Sequence, residues 1–193
     1  MPLIASRQNP RFKALRALVD DPRGHGAALA DGLHLVAACL ERGGMIRQLL
    51  TSESGSRNAA VGTLVARAGD VECIQLSDAL YREVTGISAP TGIAAVIGIP
   101  LPAEGPLPGD AVLLDAVQDA GNVGAMLRTA AAAGISDVLL GPGCAGAWTL
   151  RVLRAAQGAH LSLAIREQVD LAAMIAAHDR PTIATVASGG VDI

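Results

Sequence analysis

The chain has 193 residues and a mass of 19.5 kDa, room for one domain of ordinary size or two small ones. Hydrophobic residues make up 51%, charged residues 17%, and mean hydropathy is +0.41, which excludes intrinsic disorder; one Phe, one Tyr and one Trp leave the core to Ala, Leu, Val and Ile. The formal net charge of −3 excludes a positive field over the whole molecule, so any nucleic-acid contact must rest on a local site.

From the N-terminus, Asn9-Pro10 opens a helix in which Phe12, Leu15, Ala17 and Leu18 face inward. Arg11, Lys13 and Arg16 then look outward, and with Arg7 they form either a solvated face or a surface for RNA phosphates. Helical spacing continues over Gly32–Glu41, followed by a short strand at Ile46–Leu50, a helix at Ala59–Ala68 and a strand at Val71–Leu76. Ser77-Asp78 caps a short helix through Val84, and Thr91–Ile99 is an apolar strand. Ile99–Asp110 then places four prolines and two glycines in twelve residues, the clearest linker in the chain. The expected organisation is a small N-terminal α/β domain (1–98), a Pro/Gly-rich linker (99–110) and a second α/β segment (111–193).

The second segment restarts the alternation. Strands are expected at Ala111–Leu114, Val138–Leu140, Leu161–Ile165 and Thr182–Val186, with helices at Val123–Ala133, Thr149–Gln157 and Leu171–His178. Such repeats imply a parallel sheet with helices on both faces. The chain stops at Ile193 directly after a strand, which reads as an unfinished sheet.

Cys39, Cys73 and Cys144 form no C-x-x-C pair and read as buried reduced thiols. The opening MPLIASRQNPRFK has no apolar core of a signal peptide. Val84–Ala103 carries no charge, but Gly86, Pro90, Gly92, Gly98, Pro100 and Pro102 break any membrane helix there. A soluble, cytoplasmic protein without a membrane partner is expected. His25, His34, His160 and His178 share no metal-ligand spacing, Trp148 reads as packing, and no metal is expected.

The informative stretch is LLDAVQDAGNVGAMLRTAAAAG, Leu113–Gly134: a strand, a polar loop with two glycines, and a helix bearing Arg128. Helix N-termini expose unpaired N–H groups, Gly121 and Gly124 let another backbone or a ribose-phosphate approach, and Arg128 can project near the same loop. Asn122 can bond locally or orient that guanidinium, and Asp115 and Asp119 can cap the helix. By spacing alone a structural turn explains the loop equally well, because Asp, Asn and Gly are turn residues.

Taken together, Asp115, Val117, Asp119, Asn122, Gly124, Arg128, Thr129, Ala130 and Gly134 resemble the first motif of the SpoU/TrmH family of RNA ribose 2′-O-methyltransferases, with Ala120 where that family usually has proline. SRQNPRFKALRAL, VTGISAPTGIAAVIGIP and VLLGPGCAGAWTLRVLRAAQGAHLSLAI resemble further parts of it, so the likeness covers nearly the whole chain. The resemblance implies an N-terminal substrate-binding domain similar to a ribosomal RNA-binding protein. It implies a C-terminal SPOUT domain whose parallel sheet carries an α/β knot, binds S-adenosyl-L-methionine and dimerises. It further implies rRNA or tRNA as substrate and attack of a ribose 2′-hydroxyl on the cofactor's methyl group. Arg128 would activate or position that hydroxyl and Asn122 would hold Arg128. Clamping a neighbouring RNA phosphate is the cheaper role for Arg128, since a neutral arginine base is costly near pH 7. Thr185 and Gly189 would approach the cofactor adenosine, or make a plain turn; Arg151 and Arg154 would face RNA, or solvent. The family's second and third motifs, a Gly-x-Glu-x-x-Gly-Leu loop and a Ser-Leu-Asn helix start, do not follow Val186. The segment is therefore expected to be C-terminally incomplete and inactive by itself. Two other readings stand beside this one: a non-catalytic RNA-binding remnant, and a nucleotide-binding α/β enzyme using the Gly121–Gly124 loop.

Overall fold

The computed structural model describes residues 3–43, 45–102, 105–179 and 181–186. The first half builds a five-stranded sheet from β1 (Leu3–Ile4), β2 (Ala27–Asp31), β3 (Ile46–Ser52), β4 (Cys73–Leu76) and β5 (Ile93–Gly98), in the order β1-β4-β3-β5-β2. β1, β4 and β3 run parallel, and β5 joins antiparallel between β3 and β2. Every residue of β2 and of β5 is buried, as a strand covered on both faces requires. One face packs under α1 (Pro10–Asp20) and α4 (Asp78–Thr85) through Phe12, Leu15, Leu80, Tyr81 and Val84. The other packs under α2 (Leu33–Glu41) and α3 (Ala59–Arg67) through Val36, Cys39, Val61 and Leu64.

The second half forms a parallel sheet, β6 (Ala111–Leu114), β7 (Asp137–Leu140) and β8 (Ala164–Glu167), in chain order. Val112, Leu114, Val138, Leu140 and Ile165 share one face by register and meet α5 (Ala120–Ala132) and α6 (Leu150–Ala156). That core is continuous with the α2–α3 core of the first sheet, so one apolar mass spans both. The α/β class with a parallel second sheet agrees with the sequence reading.

Several elements differ from it. β2 was not expected, and Ala17, expected inward on α1, is exposed while Val19 is partly buried. A 3-10 turn at Ala159–Leu161, entered through left-handed Gln157 and Gly158, moves the last strand to 164–167. α7 (Leu171–Ala176) buries none of its residues, so it does not supply the helix expected over the opposite face. There, Arg166 on β8 donates to the Gly105 carbonyl at 2.8 Å and draws the linker across. The strand expected at Thr182–Val186 is absent: residues 181–186 are irregular and exposed, Ile183 to 85% and Val186 to 63%. A β-branched run becomes a strand only against a partner ladder and under a cover, and these residues have neither among the described residues. No described helix is long and apolar enough to cross a membrane.

Candidate functional site

Three loops gather at the C-terminal edge of the parallel sheet: 115–119 after β6, 141–149 after β7 and 168–170 after β8. Backbone and thiol stitch the first two together. Ala145 N–H donates to Val117 O at 2.8 Å, Val117 N–H to Cys144 Sγ at 3.3 Å, and the Cys144 thiol to Leu114 O at 3.2 Å. Glu167 Oε1 accepts from Ala147 N–H at 2.8 Å, and its Oε2 lies 3.5 Å from Arg23 Nε of the first half. His160 fixes the next peptide group: its Nε2 lies 2.8 Å from Ala147 O and its ring sits 4.9 Å from that of Trp148. Burial pushes the His160 imidazole down to about 4, so the ring is neutral and donates through Nε2. Ala116 and Gln168, on the loops after β6 and β8, hold φ of 50° and 58°, a conformation rare outside glycine.

α5 starts at Ala120, three residues earlier than the sequence suggests, because Asp119 caps it: its Oδ1 accepts from Asn122 N–H at 2.8 Å. This start separates the expected catalytic pair. Asn122 lies in the first turn and Arg128 six residues on, about 9 Å along the axis and about 120° around it. Both are exposed, and no hydrogen bond joins them among the described residues. Asn122 therefore does not hold Arg128 within this chain. Nor does Arg128 project near the 115–119 loop; it lines a cleft of about 390 Å³ with Arg42, Gln157, Gly158 and Ser162.

The glycines divide in the same way. A Cβ on Gly124 would strike Ala155 and come within 2.9 Å of Ala156 N and Val152 O, so this glycine serves the crossing of α5 and α6, not a ligand. Gly121 is exposed and faces only the Asp119 carboxylate. Asp115 is exposed and caps nothing, leaving the cap to Asp119 alone.

The basic candidates on the first half are mostly engaged. Arg7 and Arg16 both pair with Glu83, at 2.7 and 3.0 Å, and Arg11 pairs with Glu72 at 2.8 Å, so α1 presents no open basic stripe. Lys13 is exposed and forms no ion pair among the described residues. Arg151 is exposed, but Arg154 turns inward: its Nη2 donates to the Thr85 carbonyl and its Nε stands 3.9 Å from Asp31 Oδ2. Asp31 is buried and also accepts from Tyr81 at 2.9 Å, so Arg154 ties α6 to the first sheet and is not available to RNA. No sequence signal marked Asp31, Tyr81 or Arg42. Thr185 is exposed on the irregular 181–186 segment, and Gly189 lies outside the described residues. The described residues thus make no adenosine cradle around Thr185.

Residues 110–192 match the sequence model of the SpoU rRNA Methylase family. The 23S rRNA (guanosine(2553)-2′-O)-methyltransferase RlmP of Bacillus subtilis is 35% identical over 138 residues, 71% of this chain and 52% of that protein. Mitochondrial rRNA methyltransferase 3 of Homo sapiens is 50% identical over 54 residues, 28% of this chain and 13% of that protein. Among solved structures, an AdoMet-bound rRNA methyltransferase from Sinorhizobium meliloti superposes with a TM-score of 0.71 at 26% identity, covering 86% of this chain and 64% of that one. The SpoU methyltransferase AviRb of Streptomyces viridochromogenes gives 0.71 at 22% identity over 88% of this chain and 66% of that one, a likeness of fold. The chain spans about half the length of the Bacillus relative. The likeness to the SpoU rRNA Methylase family thus rests on residues 110–192, the second half of the chain.

Proposed function

We propose that the protein methylates a ribose 2′-hydroxyl of RNA, ribosomal RNA first among the candidates, with S-adenosyl-L-methionine as methyl donor. The observation that carries this reading is Arg128: a guanidinium on α5, inside the family segment, free of any carboxylate among the described residues and standing in a cleft where the two halves meet. Its relatives support the substrate class, and the Sinorhizobium structure supports the donor. When bound, the donor supplies an electrophilic methyl group. Arg128 grips the phosphate next to the target ribose through its planar fork and thereby fixes the hydroxyl in line for attack. The three free thiols support a reducing, cytoplasmic setting. The homodimer is proposed from the family resemblance.

A second reading is that this chain binds RNA without catalysis. Transfer of radiolabelled methyl groups to total ribosomal RNA, followed by nucleoside analysis, separates the two. The proposal expects a 2′-O-methylated nucleotide that disappears with Arg128→Ala. RNA binding with no methyl transfer favours the second reading, and no RNA binding ends both.

A further inference from the structure

We propose that Arg42 and Arg128 together form a two-guanidinium site for a single RNA phosphodiester, so that the RNA backbone crosses the junction between the two halves of the molecule. This rests on the RNA reading above and adds to it a residue, Arg42, that lies outside the family segment.

The two arginines come from different halves. Arg42 caps the C-terminus of α2, and its backbone N–H donates to Ala38 O. Arg128 lies on α5. Gly158 brings them to one cleft. In its left-handed turn after α6, it packs so near α2 that a Cβ there would stand 3.7 Å from Ala38 Cβ and 3.8 Å from Leu35 Cδ1. Arg154, anchored on Asp31 and on the Thr85 carbonyl, holds α6 in that place.

Charge then selects the ligand. No Asp or Glu lines the cleft. The carboxylate next in sequence, Glu41, is turned to Arg67 at 3.5 Å. Among the described residues, seven other arginines stand within 4.0 Å of carboxylates: Arg7, Arg11, Arg16, Arg23, Arg67, Arg154 and Arg166. Arg42 and Arg128 form no ion pair among the described residues, and they share a cleft. The C-terminal ends of α2 and α6 point toward it with about half a negative charge each, screened by water, against two full positive charges. The balance stays positive. One Gln157 amide N–H is bonded to Arg154 O at 2.6 Å and the Ser162 hydroxyl to Ala159 O at 3.1 Å, so the two guanidiniums are the charged donors open to an incoming anion. Two planar forks lining one cleft suit the non-bridging oxygens of a phosphodiester, which accept bidentate hydrogen bonds.

The test is the salt dependence of binding to a labelled single-stranded oligoribonucleotide, for the full chain and for Arg42→Gln, Arg128→Gln, the double variant and Arg57→Gln. Arg57, exposed on the first half, serves as a generic surface cation. For single strands each phosphate contact contributes about 0.7 to the slope of log affinity against log salt. Arg42→Gln and Arg128→Gln should each shallow that slope by up to about 0.7, and the double variant should lose no more than the weaker single variant, because both serve one phosphate. Arg57→Gln should leave the slope in place, and the thermal midpoint should hold throughout, because these side chains are exposed. Wild-type binding with no response to Arg42→Gln overturns the proposal while leaving the role of Arg128 intact. Fully additive losses overturn the shared phosphate. Absence of RNA binding by the wild type overturns the underlying RNA reading as well.

Discussion

Gly124 of α5 lies against Ala155 of α6 with no room for a side chain between them: a Cβ at position 124 would strike Ala155 Cβ and stand 2.9 Å from Ala156 N. Backbone occupies the other side of the clash, so a methyl group cannot be relieved by a rotamer change. Gly124→Ala gains helix propensity of up to about 1 kcal/mol, but overpacking costs about 1–3 kcal/mol, and the helix pair must separate. Urea unfolding should show Gly124→Ala less stable than the wild type. Gly121→Ala, whose Cβ would press only on the Asp119 carboxylate at 3.0 Å, should cost less than Gly124→Ala. Equal effects at the two sites would mean that α5 and α6 are not in this contact.

Arg154 and Asp31 bind the two halves together, and their effect reads out through pH. Burial pushes the Asp31 carboxyl up from its ordinary 3.8, while the Tyr81 hydrogen bond and the Arg154 charge pull it down. A carboxyl raised in the folded state holds its proton more tightly there than in the unfolded chain. Its stabilisation is therefore full below 3.8 and is lost as pH rises through the folded value. Arg154→Met removes one of the two lowering influences, which extends that loss to higher pH and leaves a buried acid with one partner. Because Arg154 is partly solvated, the cost at neutral pH should be about 1–3 kcal/mol. Asp31→Asn in the same background should restore most of it. An Arg154→Met protein as stable as the wild type at pH 7 would show that the tie carries no weight.

How much of this was written locally in the chain can be seen strand by strand. β6 and β7 were legible because Val and Leu runs end at turn residues, and β6 falls at the expected residues. β2 was not, because AALAD has no β-branched or aromatic residue; it is a strand only because β5 pairs with all five positions. The run at 182–186 shows the converse, with strand-like residues and no partner ladder among the described residues. In the site, Arg128 was legible from its motif, but its neighbour Arg42 was not, since the cleft joins residues 86 positions apart through the packing of Gly158 on Ala38. Asn122 and Arg128 were read as a pair, but six residues along one helix set them about 9 Å apart along the axis and about 120° around it.

The start of α5 depends on one carboxylate. Asp119 Oδ1 accepts the Asn122 N–H at 2.8 Å, whereas Asp115 is exposed without a capping bond. Asp119→Ala should cost about 1 kcal/mol and Asp115→Ala no more than about 0.5 kcal/mol. Asp119→Asn, which keeps the accepting oxygen, should recover most of the loss. Parallel thermal melts of the three variants decide it, and a larger effect at Asp115 would move the cap to that residue.

His160 supplies the opposite pH dependence to Asp31. Its ring is buried against Trp148, its Nε2 is committed to Ala147 O, and its Nδ1 has no partner among the described residues, so protonation would place an unsolvated charge in the core. The folded ring titrates at about 4 against an ordinary 6.5. A depressed histidine means that the unfolded chain binds the proton first, so its contribution is complete above 6.5 and is lost as pH falls through that value toward 4. Over that window the loss is about 3 kcal/mol. Urea midpoints should fall steeply below pH 6.5 in the wild type. His160→Gln can still offer an amide N–H to Ala147 O while carrying no titratable proton, so its stability should be lower at pH 7 but far flatter with acid. A Gln variant that loses stability between pH 6.5 and 4 as steeply as the wild type would place the acid sensitivity elsewhere. The loop 141–149 would then be held by Glu167 and Cys144 without help from the imidazole.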